Sequence, residues 1–217
     1  MHKGKIEDWT KLLERVKIEG QKRLLTEEGI AFFEKSFNIC LPSDYKQFCQ
    51  VFGSGIIGGE WNIFFPDEEL ISYSNQFIKW FKERVNSFEL ISNPETNILE
   101  MLDNCLVFGN SPSCVQLVWD LRTQSVMNGD CDIYLIQSEI VEKHEESIYK
   151  VGKSFYEFAL AVLLDKSAYE KLPQGAKDLF GWPLLPRSSF IPMKLPYVKP
   201  PAINNSSLIR RLFDVFR

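Results

Sequence analysis

Ile39-Cys40-Leu41-Pro42-Ser43-Asp44-Tyr45-Lys46-Gln47-Phe48 is the stretch that decides the fold. A short apolar run ends at Leu41-Pro42, and an amphipathic helix starts there. Proline suits a first helical turn, where its fixed φ and missing N–H cost nothing. Ser43 or Asp44 offers a side-chain oxygen to the free amides of that turn. Tyr45, Phe48, Cys49 and Phe52 recur at i, i+3, i+4 and i+7, the spacing of one buried helical stripe. Gly53-Ser54-Gly55 stops the helix.

Outward from this helix, the apolar periodicity sketches the rest. Residues 5–19 read as a helix with Trp9, Leu12, Leu13 and Val16 on one side, ended by Gly20. Thr26 caps a second helix, with Glu27 and Glu28 at its positive end and Ile30, Phe33 and Phe37 as its apolar face. After the glycines, Trp61, Ile63 and Phe65 alternate as in a strand that stops at Pro66. Asp67-Glu68-Glu69-Leu70 opens a helix with Ile71, Phe77, Ile78, Phe81 and Val85 toward the core. Leu106–Phe108, Cys114–Trp119 and Ile133–Ile136 read as strands, with Asn128-Gly129-Asp130 as a turn. Phe155, Phe158, Val162 and Leu163 line a last helix. Helices, then a meander, then a helix make an α+β domain: N-terminal helices packed on a twisted, mainly antiparallel sheet, with a further helix after the sheet.

The order of these pieces carries a resemblance. Thr26-Glu27-Glu28-Gly29-Ile30, Leu41-Pro42-Ser43-Asp44-Tyr45-Lys46, Phe52-Gly53-Ser54-Gly55, Phe108-Gly109-Asn110-Ser111, Trp119-Asp120-Leu121 and Ser154-Phe155-Tyr156-Glu157-Phe158 follow one another over residues 24–165. This succession resembles the SMI1/KNR4 family, also called the SUKH superfamily. The resemblance implies a non-catalytic binding module. Bacterial members are mostly immunity proteins that bind and block a cognate toxin, frequently a nuclease; fungal members act as regulators through interactions. It says nothing of the segment Ser72–Leu102 or of the proline-rich C-terminal part. The chain is therefore expected to divide into a family-like domain, residues 1–181, and residues 182–217, a proline-rich strap or partner-binding arm ending in a short basic helix.

Charge is unevenly spread. Residues 1–25 sum to +3, residues 26–186 to −12 and residues 187–217 to +5. An acidic core disfavours nucleic acid, since phosphate contact needs cationic side chains, and favours fast encounter with a basic protein. No apolar run is long enough to span a membrane, and the N-terminus reads as charged and amphipathic, so a cytoplasmic location is expected. The five cysteines form no C-x-x-C pair and read as reduced thiols, and His2 and His144 lie far apart, so no metal site or cofactor is expected. No phosphate-binding glycine loop and no nucleophile elbow occurs, so no enzymatic activity is expected.

The expected function is thus an immunity-type protein whose partner is a basic toxin, acting as a monomer or weak homodimer. The alternative is a regulatory or scaffold module with a non-toxin protein partner. The expected partner-facing residues are Glu60, Trp61, Asp67, Glu68, Glu69, Asp120, Asp130 and Asp132, placed in turns at strand ends. Trp61 reads as a central anchor or, alternatively, as buried under the sheet. Asp120 reads as a turn-capping carboxylate or as part of the acidic face.

Overall fold

A computed structural model describes residues 5–87, 98–125, 130–137, 148–164, 170 and 188–193. The helices are α1 (Ile6–Glu14), α2 (Glu27–Phe37), α3 (Ser43–Val51), α4 (Glu68–Ser87), α5 (Ile98–Asp103) and α6 (Phe155–Leu163). The strands are β1 (Lys17–Ile18), β2 (Gly55–Ile57), β3 (Trp61–Ile63), β4 (Cys105–Asn110), β5 (Val115–Asp120), β6 (Asp132–Gln137), β7 (Ile148–Gly152) and β8 (Ser189–Pro192). They form one sheet in the order β1-β8-β2-β3-β4-β5-β6-β7. Every described pairing is antiparallel except β1 with β8. This is the α+β architecture expected, with a wider sheet.

Alternation along the strands sends side chains to two separate cores. Leu106, Phe108, Leu117, Trp119, Ile133 and Leu135 face one side, where Trp9, Tyr45, Phe48, Phe52 and Phe155 of α1, α3 and α6 meet them. Val107, Val118 and Ile136 face the other, under Phe77 and Phe81 of α4 and Met101 and Leu102 of α5. The segment Ser72–Leu102 thus supplies the helices that cover the second face.

Thr26 caps α2 as expected: its hydroxyl accepts a hydrogen bond from the Gly29 N–H at 3.2 Å. The start of α3 differs. Pro42 occupies the cap position, with no side-chain cap bond. Asp44 instead reaches across to α6, where its Oδ2 accepts from the Ser154 hydroxyl and the Tyr156 N–H, both at 3.1 Å. Two motifs 110 positions apart are one junction: the carboxylate of the first sits at the positive end of the helix that begins in the second. Gly53 ends α3 at φ +81, and a Cβ there would stand 2.0 Å from the Arg23 carbonyl oxygen.

The helix expected over residues 5–19 stops at Glu14. Its continuation becomes β1, because Lys17 N donates to Ser188 O at 2.8 Å and Glu19 N to Phe190 O at 2.9 Å. The partner strand β8 comes from the segment 182–217, and it lies within the sheet between β1 and β2. The Asn128-Gly129 turn, His2, His144, the side chain of Val85 and the C-terminal basic helix fall outside the described residues.

Candidate partner-binding surface

Strand direction splits the expected surface in two. Glu60 precedes β3 at the end of the sheet occupied by the β4–β5 turn, and its carboxylate accepts from the Ser113 hydroxyl at 3.2 Å. Asp67 follows β3 at the opposite end, the end at which β5 finishes with Asp120 and β6 begins with Asp132. Glu60 therefore does not share a patch with the other carboxylates.

Three of the expected residues are inside the protein. Trp61 is 1% exposed and packs edge-on against Phe158 at 5.5 Å, so it is a core residue and not a surface anchor. Asp120 is also 1% exposed. It takes a two-point contact from Arg122, with Nε at 2.9 Å and Nη2 at 2.7 Å, and accepts from the Arg122 N–H at 3.1 Å. It is the turn cap of the alternative reading. Asp132 is 5% exposed and pairs with Lys150 at 2.5 Å and Lys153 at 3.4 Å.

Asp120 and Asp132 stand directly opposite each other on neighbouring strands. Like charges in that register repel. Arg122, Lys150 and Lys153 offset the repulsion, and Arg122 also reaches Glu100 at 3.5 Å. The Asp120 side chain holds the Arg122 guanidinium above its ordinary pKa. Burial, then Asp132 and Asp120, raise the Tyr134 phenol beside them. This cluster is an internal ion network. Its cations come from β7 and the turn after it as well as from Arg122, so no local reading of 120–132 finds them all.

The remaining carboxylates face outward at the start of α4. Asp67 is half-buried, and its Oδ1 accepts from Glu69 N at 3.0 Å and Leu70 N at 3.1 Å, capping the helix. Burial raises its pKa, against the pull of those two bonds. Glu68 and Glu69 are exposed in the first turn, where the helix dipole favours them. Asp130 is half-buried at the head of β6, and its charge adds to the raised pKa of Asp44.

One residue was missed by sequence reasoning. Trp80 on α4 is 41% exposed, with the Arg84 guanidinium carbon 5.2 Å from its ring centroid. Glu69, Ser72, Gln76, Trp80 and Glu83 make one exposed stripe along α4. The signal was present: Phe77 and Phe81 define the buried side, and Trp80 does not fit that stripe.

Among the described residues no group of three or more His, Cys, Asp or Glu side chains is placed to hold a metal, and no helix is long and apolar enough to cross a membrane. Burial pushes the Cys49, Cys105 and Cys131 thiols up to about 12, far from a nucleophilic thiolate.

The family model described as SMI1-KNR4 cell-wall (SUKH_6) matches residues 27–158, more than half of the chain. The chain belongs to the SMI1-KNR4 family. In this SMI1-KNR4 protein the match begins with the first residue of α2 and ends inside α6, so it contains the Asp44–Ser154 junction and the whole α4 stripe. Elements α1, β1 and β8 lie outside it. None of the curated protein sequences matches the chain.

Proposed function

We propose that this SMI1-KNR4 protein is a non-catalytic, protein-binding module: an immunity protein that binds a cognate toxin and neutralises it. The reading rests on family membership together with one observation, the α4 stripe. That stripe combines an exposed tryptophan with Glu69 and Glu83, beside the exposed Glu68 of the first turn, on the segment of the chain that carries a net −12. Tryptophan is enriched among binding hot spots, and the carboxylates at the start of α4, about three turns from Trp80, steer a basic partner. A nuclease toxin must hold phosphate and so presents cations, which an acidic face occludes by charge mimicry. The partner-facing set is accordingly Asp67, Glu68, Glu69 and Trp80. Asp130 stands further along the same end of the sheet.

The reading expects a toxin reading frame beside this chain's gene, and the test is protection of a host expressing that toxin domain. Wild type protects. The full-length variant Glu68→Lys/Glu69→Lys/Trp80→Ala fails while melting as wild type does. Protection by that variant rejects the α4 surface. Wild type that neither protects nor binds rejects the immunity reading in favour of a regulatory or scaffold role with another protein.

A further inference from the structure

β1 and β2 do not touch each other's backbone; a gap one strand wide separates them, and β8 fills it. The gap is built by elements near the N-terminus, whereas its filler arrives after residues 165–187. Backbone groups line both walls. Lys17 N and Glu19 N donate to Ser188 O and Phe190 O at 2.8 and 2.9 Å on the β1 side. Gly58 N donates to Ser189 O at 3.0 Å, and Met193 N to Ser54 O at 3.1 Å, on the β2 side. Such bonds hold any extended chain; side-chain pockets decide which one.

The floor is selective. Phe190 is fully buried, edge-on to Phe52 at 5.3 Å and to Phe48 at 6.1 Å. Gly55 makes the room: a Cβ on it would lie 2.6 Å from Phe190 Cζ and 2.4 Å from the Ile191 carbonyl oxygen. Pro192 is buried and rests against Gly20, whose φ of +135 suits glycine. Ile191 between them points outward and is exposed.

We propose that the gap between β1 and β2 is a strand-accepting peptide site, selective for an extended Phe-x-Pro segment, and that β8 is its intramolecular occupant. The partner it fits is an extended peptide segment of another protein with that pattern. The proposal is independent of the α4 surface. In the intact chain the covalent link raises the effective concentration of β8, so a free peptide at micromolar concentration competes poorly until the link is cut.

The experiment uses the full chain with one protease site placed within residues 171–187 and cut after folding. The released C-terminal fragment is expected to stay bound through size-exclusion chromatography. A fluorescent peptide of residues 187–194 is then expected to displace it. The substitution Phe190→Ala in that peptide weakens it at least a hundredfold, and Ile191→Ala changes it less than threefold. A fragment that leaves only on unfolding, or a Phe190→Ala peptide that competes equally, overturns the proposal. Should the cut protein precipitate, the intact Phe190→Ala chain serves: the wild-type peptide raises its melting temperature and the Phe190→Ala peptide does not. No rise with the wild-type peptide overturns the proposal as well.

Discussion

On one face of the sheet Phe108 stacks on Trp119 at 3.8 Å, and Tyr45 and Phe155 close over the pair edge-on at 4.7 and 5.6 Å. On the other face Asp120 and Asp132 lie side by side at the strand ends, held by three cations, next to a smaller apolar cluster under α4 and α5. The first face draws on non-directional burial of many rings. The second adds charges that are stabilising only while each has its partner. Loss of a ring on the first face should therefore cost through volume, and loss of a cation on the second through an orphaned charge.

Phe48→Ala should have the largest effect. The ring is fully buried and packs on Trp9, Phe52, Phe155 and Phe190. Truncation of such a side chain costs about 3–5 kcal/mol. Chemical denaturation measures it, and a cost under ~1 kcal/mol would remove the claim that this face carries most of the stability.

Arg122→Ala tests the second face. It leaves Asp120 buried with its charge unpaired, but the arginine itself is partly exposed, so the full penalty of a broken buried pair is screened. The expected loss is about 2 kcal/mol. In an Asp120→Asn background most of that loss should vanish; an equal loss in both backgrounds would assign it to packing of the arginine stem instead.

Thr26→Ala removes a cap on the first face and should cost about 1 kcal/mol. A helix-start effect of that size, well below that of Phe48, separates local from core contributions in the same layer.

The smallest effect at neutral pH is expected from Asp44→Asn, which keeps an oxygen for the Ser154 hydroxyl and the Tyr156 N–H. Burial, then the charge of Asp130, push the Asp44 carboxyl up, against those two bonds. A folded value above the unfolded one means that neutral Asp44 favours the fold. Its contribution is complete below about pH 4, near the unfolded value, and fades as pH rises through the folded value. Wild type should therefore lose stability relative to the Asn variant as pH increases across that window. A constant difference in pH-dependent melts would show that the carboxyl titrates alike in both states.

The two faces were also unequally legible. Periodicity marked α2, α3, α6 and the cores of β4, β5 and β6, because each buries a stripe of its own residues. β1 hid inside a helical pattern: Lys17-Ile18 has no strand signal of its own and is extended only because β8 bonds to it. β8 hid behind proline composition, although its one proline stands at the strand's last position, where a missing N–H costs little. At the candidate site Glu68 and Glu69 were legible as a helix start. Asp120 reads as a turn cap or as part of the acidic face, and Asp132 as surface charge; Lys150 and Lys153, which neutralise Asp132, come from a distant part of the chain. Trp61 reads as anchor or as core from the sequence, and the fold puts Phe158 over it.

The pairing of Lys17 with Ser189 has a kinetic side. A ribosome releases β1 well before β8, at roughly 5–20 residues per second. During that interval β1 has nothing to bond, β2 presents a bare edge, and Phe48 and Phe52 lack the ring that later covers them. Contacts this remote in sequence form late and slow the final step. The nascent chain consequently passes through a stage with an open strand edge beside exposed aromatics, the combination on which chains stick to one another or are caught by chaperones.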